Sequence, residues 1–209
     1  RLVEAHGYSA IAIESSFPLA HVVDEYIAGR GPVSYEAVQD TGFSHGFGPL
    51  EASRELVEWM RRYNADSAHP VKLRFYGFDS PTEMVGTASP RQVLYFALDY
   101  LASLDSASAQ EHRERIEPLL GQDAAWENPA ASMDPTQSIG LAPAATQLRM
   151  ETEELISELR VRRPELVAKS DRDRYLEAVQ YAVVARQLLT YHAALARPSS
   201  GRFVALLGI

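Results

Sequence analysis

The chain has 209 residues, no cysteine and 46% hydrophobic residues, and its 20 lysines and arginines face 28 acids for a net charge of −8. That is enough chain to bury a core in one large domain or two small ones, and the acidic balance argues against a nucleic-acid or anionic-membrane surface. The lack of cysteine removes disulfides, thiolate metal sites and thiol nucleophiles and fits a reducing, cytoplasmic setting, while no apolar run approaches the ~18 residues that span a bilayer.

The first residues read as the end of a helix, with Gly7 as the residue that tolerates left-handed geometry after the last turn. Tyr8 to Glu14 holds Ala10-Ile11-Ala12-Ile13 and then a carboxylate. An apolar run without alternation predicts a strand covered on both faces, as in a parallel sheet. Ser16-Phe17-Pro18 opens a helix, with Pro18 suited to its first turn. Leu19, Val22, Val23, Tyr26 and Ile27 form its apolar stripe, and Gly29 and Gly31 end it. A short helix is predicted over 34–39, a glycine-rich loop over 41–49 and a longer helix over 50–64. Val71 to Phe78 reads as a second strand, with Leu73, Phe75 and Gly77 alternating against polar neighbours, and it too ends in a carboxylate, Asp79.

The pattern then turns helical. Ser89-Pro90 reads as a cap and first turn, followed by a stripe from Val93 to Leu104. Further helices are predicted over 108–120 and 146–163, separated by a long loop in which Trp126 is a possible anchor. Ser170-x-x-Asp173 reads as a capping box opening a helix of about 25 residues, about 37 Å long. The fold class is therefore α/β: a parallel-sheet core over 1–88, a mainly helical insertion over 89–197, and a return toward the core over 198–209. Both ends have an internal character. The start carries a helix without a cap, and Phe203 to Ile209 is more apolar than a solvated terminus.

The two strands are joined by a long connection containing helices, which predicts a parallel pair. In open parallel sheets the ligand crevice lies outside the carboxyl ends of the strands. Glu14 and Asp79 stand there, and two carboxylates at one edge can do general acid–base work or hold a cation. Helix capping is the plain alternative for each. Gly42-Phe43-Ser44-His45-Gly46 fits the nucleophile-elbow pattern, but that pattern has meaning only between a strand and a helix, and no strand is predicted before it. His45 is the better candidate there, as a general base, proton shuttle or substrate donor in a glycine loop just before a helix, with a solvated loop histidine as the plain alternative. The other histidines are weaker candidates: His21 beside an apolar stripe reads as a packing or surface residue, His69 precedes a proline in a loop, His112 lies on a charged helix face and His192 on the long helix. No helical zinc spacing and no phosphate-binding glycine motif occurs.

Three segments together resemble the erythromycin esterase family: Gly7-Tyr8-Ser9-Ala10-Ile11-Ala12-Ile13-Glu14, the run Glu51-Ala52-Ser53-Arg54-Glu55-Leu56-Val57-Glu58-Trp59-Met60-Arg61-Arg62-Tyr63-Asn64, and Arg74-Phe75-Tyr76-Gly77-Phe78-Asp79. Their order and spacing match as well as their content. The resemblance implies an α/β core with a helical insertion and hydrolysis of a cyclic ester by histidine-activated water, with no serine nucleophile. It carries the family's strand-end glutamate onto Glu14 and its acidic strand end onto Asp79. It also implies that the family's base histidine falls in a segment before residue 1 and a second histidine-bearing strand after residue 209, so that this chain is an internal stretch of the active domain.

The expected catalytic set is thus Glu14, Asp79 and His45, with no cofactor. The expected partner is a small ester or lactone, with no nucleic acid and no membrane, and the oligomeric state is left open. Competing readings are a family member of other function, related to polysaccharide biosynthesis or acting on another ester, a non-enzymatic binding module that uses the helical insertion, and a metal-dependent phosphohydrolase built on the two acids.

Overall fold

The computed structural model describes residues 2–83 and 86–198. The chain divides into two compact units, Arg1–Glu83 and Met84–Ile209. It is an α/β fold with a small parallel sheet and a helical insertion.

The first unit begins with α1 (Leu2–His6), closed by Gly7 in the left-handed region at φ +70°. Strand β1 (Ala10–Ser16) follows, then α2 (Phe17–Ile27), α3 (Tyr35–Gln39), α4 (Glu51–Ala65) and β2 (Arg74–Asp79). The strands pair in parallel, Ala10 opposite Arg74 through Ile13 opposite Gly77. The register then slips, and Ser16 stands opposite Asp79. β1 therefore runs two residues past Glu14, so that acid sits within the strand and not at its end.

Alternation along both strands sorts the side chains onto two faces. Leu73, Phe75 and Gly77 are buried, and Ile11 and Ile13 pack against the core formed by Val23, Tyr26, Ile27, Tyr35, Val57 and Met60. Ala10, Ala12 and Glu14 of β1, with Tyr76 and Phe78 of β2, are exposed. The strand expected to be covered on both faces is covered on one. Alanine at positions 10 and 12 supplies too little apolar area to demand burial, and α2 lies over the other side.

Two tertiary contacts fix this packing. Asp24, on the buried face of α2, accepts the Phe75 amide at 2.7 Å and the Arg74 guanidinium at 2.9 Å. Gly77 lies so close to β1 that a Cβ there would come within 2.3 Å of the Ser15 carbonyl oxygen, so only glycine fits.

The second unit is helical: α5 (Arg91–Leu104), α6 (Ser106–Leu120), the short α7 (Asp123–Trp126), α8 (Pro143–Val161), α9 (Arg163–Lys169) and α10 (Arg172–Leu195). α5 packs on α6, α6 on α8, α8 on α10 and α10 back on α5, which closes a four-helix ring around Leu94, Leu98, Ile116, Leu148, Leu155 and Leu188. The long loop after α6 is pinned by buried Trp126, whose indole N–H donates to the Leu120 carbonyl at 2.6 Å. α10 is capped by Asp171, which accepts the Arg174 amide at 2.9 Å, and not by the Ser170-x-x-Asp173 box. His112 is no surface residue. It is 2% exposed, donates from Nε2 to Glu158 at 2.9 Å and accepts from Arg115 at Nδ1, because the guanidinium can only donate. The expected return toward the core over 198–209 lies, from residue 199 on, outside the described residues.

Candidate active site

The site grows from the carboxyl ends of β1 and β2. β1 ends in Ser15-Ser16, both buried, and β2 ends in Asp79. Between α3 and α4 the glycine loop comes down on this edge. Tyr35 donates its hydroxyl to the Gly48 carbonyl at 2.7 Å, and Gly48 sits so tightly on Gln39 that a Cβ would overlap its carbonyl oxygen at 1.7 Å.

At the tip of that loop His45 adopts φ +56°, the one non-glycine residue in the left-handed region among those described. For a residue with a Cβ this costs about 1–2 kcal/mol. Gly46 follows in the same region at φ +71°. The two successive left-handed residues turn the chain so that the imidazole meets the end of β2. His45 Nε2 lies 3.2 Å from Asp79 Oδ2, with the two side chains 25% and 34% exposed. The other carboxylate oxygen, Oδ1, accepts the Ser80 amide at 2.8 Å. An ionised carboxylate only accepts, so Nε2 donates to Asp79 in this pair. The ring of Phe47 stands edge-on to His45 at 6.0 Å.

Of the three expected site residues, the structure brings His45 and Asp79 together and leaves Glu14 apart. Glu14 belongs to the exposed alternation of Ala10 and Ala12, whereas Asp79 continues the buried alternation of Phe75 and Gly77. The Glu14 side chain makes no hydrogen bond or ion pair with another described residue. Nor do any three histidine, aspartate or glutamate side chains among those residues converge to share a metal ion. Ser44 is buried and follows a helix and a turn, so the elbow geometry is missing. What sequence reasoning missed is the set around it. Ser15, Ser16 and Ser44 bond one another across the end of β1, and Asp24 anchors β2 from behind. Small polar residues directly after a strand were the available signal.

The sequence profile of the erythromycin esterase family matches residues 3–204. The chain belongs to the erythromycin esterase family. Its fold is shared by three solved structures. A Bacillus cereus protein superposes with a TM-score of 0.69 at 19% identity, covering 98% of this chain and 45% of its own. A succinoglycan biosynthesis protein gives 0.64 at 18% identity over 92% and 41%. An erythromycin esterase variant in its open conformation gives 0.60 at 18% identity over 99% and 50%. The chain thus spans half or less of the length of these relatives. No curated protein matches it. Within the erythromycin esterase family, then, this chain contributes a parallel strand pair, the glycine loop that carries His45, and a helical insertion. No helix among the described residues is long and apolar enough to cross a membrane.

Proposed function

We propose that this chain forms part of an ester hydrolase that opens a macrolide lactone or a related ester with histidine-activated water. The observation that carries the reading is the His45–Asp79 pair, 3.2 Å apart at the carboxyl edge of a parallel sheet, in a chain of the erythromycin esterase family. An imidazole held by a carboxylate is fixed in orientation, and its protonated form is stabilised by the negative charge beside it.

His45 takes a proton from water as the water oxygen bonds to the acyl carbon. The tetrahedral species then breaks its bond to the alcohol oxygen, and the imidazolium returns the proton to that leaving alkoxide. The products are a carboxylic acid and an alcohol, joined in one molecule when the substrate is a lactone. Asp79 stabilises the imidazolium between the two transfers. No serine nucleophile is needed, which fits the buried, bonded state of Ser44. A second reading, prompted by the likeness to a succinoglycan biosynthesis protein, is a role related to polysaccharide biosynthesis.

Hydrolysis of a panel of macrolides and simple aryl and sugar esters tests this. His45→Gln and Asp79→Ala should each lower kcat, the histidine change by about 10²–10⁴-fold. An unchanged kcat in His45→Gln would remove His45 from the chemistry.

A further inference from the structure

The loop tip is bolted to β1 by hydrogen bonds that cross 28 and 29 residues of sequence. The Ser16 amide donates to Ser44 Oγ at 2.9 Å, and the Ser44 amide donates to Ser15 Oγ at 2.9 Å. Ser44 Oγ sends its own proton toward Ser15 Oγ at 3.4 Å. All three bonds are buried. They close a ring: Ser16 stands opposite Asp79 in the sheet, Asp79 meets His45, and His45 follows Ser44 in the chain. A strained residue persists only where its surroundings over-determine it. His45, at φ +56°, directly follows the bonded serine. A loop with no task here would take glycine or asparagine at that place, since both enter this region at less cost.

We infer that Ser44 is a positioning residue whose amide and hydroxyl, through Ser15 and Ser16, hold the left-handed turn at His45 and so set the imidazole against Asp79. The same geometry removes Ser44 as a nucleophile. Its hydroxyl accepts from one partner and donates to a second, and the imidazole beside it in the chain is engaged by Asp79 instead. The catalytic consequence rests on the reading of His45 and Asp79 as the proton-handling pair, but the positioning itself can be read without any substrate.

The test uses protein labelled with ¹⁵N-histidine at fixed mildly alkaline pH, with the His45 ring signals identified among the six histidines by their loss in His45→Gln. Asp79→Ala should move the His45 ring nitrogens, because it removes the acceptor at Nε2. In a Ser44→Ala background that response should be lost, while circular dichroism stays that of the folded chain. Ser44→Thr, which keeps the hydroxyl, should restore it. A Ser44→Ala chain that folds and still shows the full Asp79-dependent movement overturns the inference, and so does labelling of Ser44 by a fluorophosphonate. If Ser44→Ala does not fold, Ser15→Ala replaces it: loss of the response supports the clamp, and a full response refutes it. Failure to cleave any ester would strike the hydrolase reading and leave these outcomes untouched.

Discussion

Asp24 of α2 grips Arg74 of β2 across 50 residues of sequence, at 2.9 Å, while its other oxygen accepts the Phe75 amide. Asp24 is only 3% exposed. Burial pushes its carboxyl up, and the Phe75 amide and the Arg74 guanidinium work against that rise. The helix that follows β1 thus holds the strand that carries Asp79. The position of Asp79 beside His45 depends on a contact made on the far side of the sheet from the exposed face.

Removing that contact should be costly. Asp24→Ala leaves the Phe75 amide buried without its acceptor and Arg74 without its partner, a loss of about 3 kcal/mol. Urea denaturation followed by tyrosine and tryptophan fluorescence reads the change. A loss under about 1 kcal/mol would mean that β2 is held by its apolar side chains alone.

Gly77→Ala should disrupt the pairing of β1 with β2. The added methyl meets the Ser15 and Ser16 carbonyl oxygens, which are backbone atoms with no rotamer to escape into. Separating the strands breaks ladder bonds and moves Ser16 away from Asp79, with an expected cost of about 3 kcal/mol. Amide exchange along β1 and β2 should rise selectively, and unchanged protection at Ile13 and Gly77 would contradict the close approach.

The strain at His45 has its own signature. A left-handed backbone favours glycine over alanine, so His45→Gly should be more stable than His45→Ala by about 1 kcal/mol, although both lose the imidazole. Thermal melts of the two variants at one pH make the comparison. Equal stability would show that the loop relaxes out of this conformation once the side chain is gone.

The helical unit should weaken in acid. Burial opposes ionisation of Glu158, but hydrogen bonds from Ser108, Arg162 and His112 outweigh it and hold its carboxyl down at about 2. A carboxyl depressed in the folded state contributes stability above its unfolded value near 4.5, and that contribution is lost as pH falls toward 2. His192 adds an earlier loss. Burial lowers its affinity for a proton below the ordinary 6.5, against the pull of its bond to the Ala88 carbonyl, so stability declines as pH drops below that value. Helical ellipticity in urea at pH 7.5, 5.5 and 3.5 should fall in that order. Glu158→Gln should flatten the lower step, and an unaltered step would move its cause to other carboxylates.

Much of this protein was legible before any coordinates. The apolar run at Ala10–Ile13, the alternation at Leu73–Gly77 and the stripes of the long helices follow from local period, which each segment carries within itself. Family membership was likewise written in three short stretches whose order needs no fold to be seen, and the profile match over residues 3–204 accords with it. What the sequence could not say is which chemistry-bearing side chains meet. Glu14 and Asp79 looked like partners because both follow an apolar run. The two-residue period of a strand put them on opposite alternations, and a residue 34 positions away, His45, took the place beside Asp79. The serine bonds and the Asp24 anchor join residues 28 to 51 apart. Such contacts depend on how the backbone turns at single residues, such as the left-handed step at His45. Those turns are decided by the balance of strain and buried hydrogen bonds in the assembled fold, and no periodic pattern in the chain encodes them.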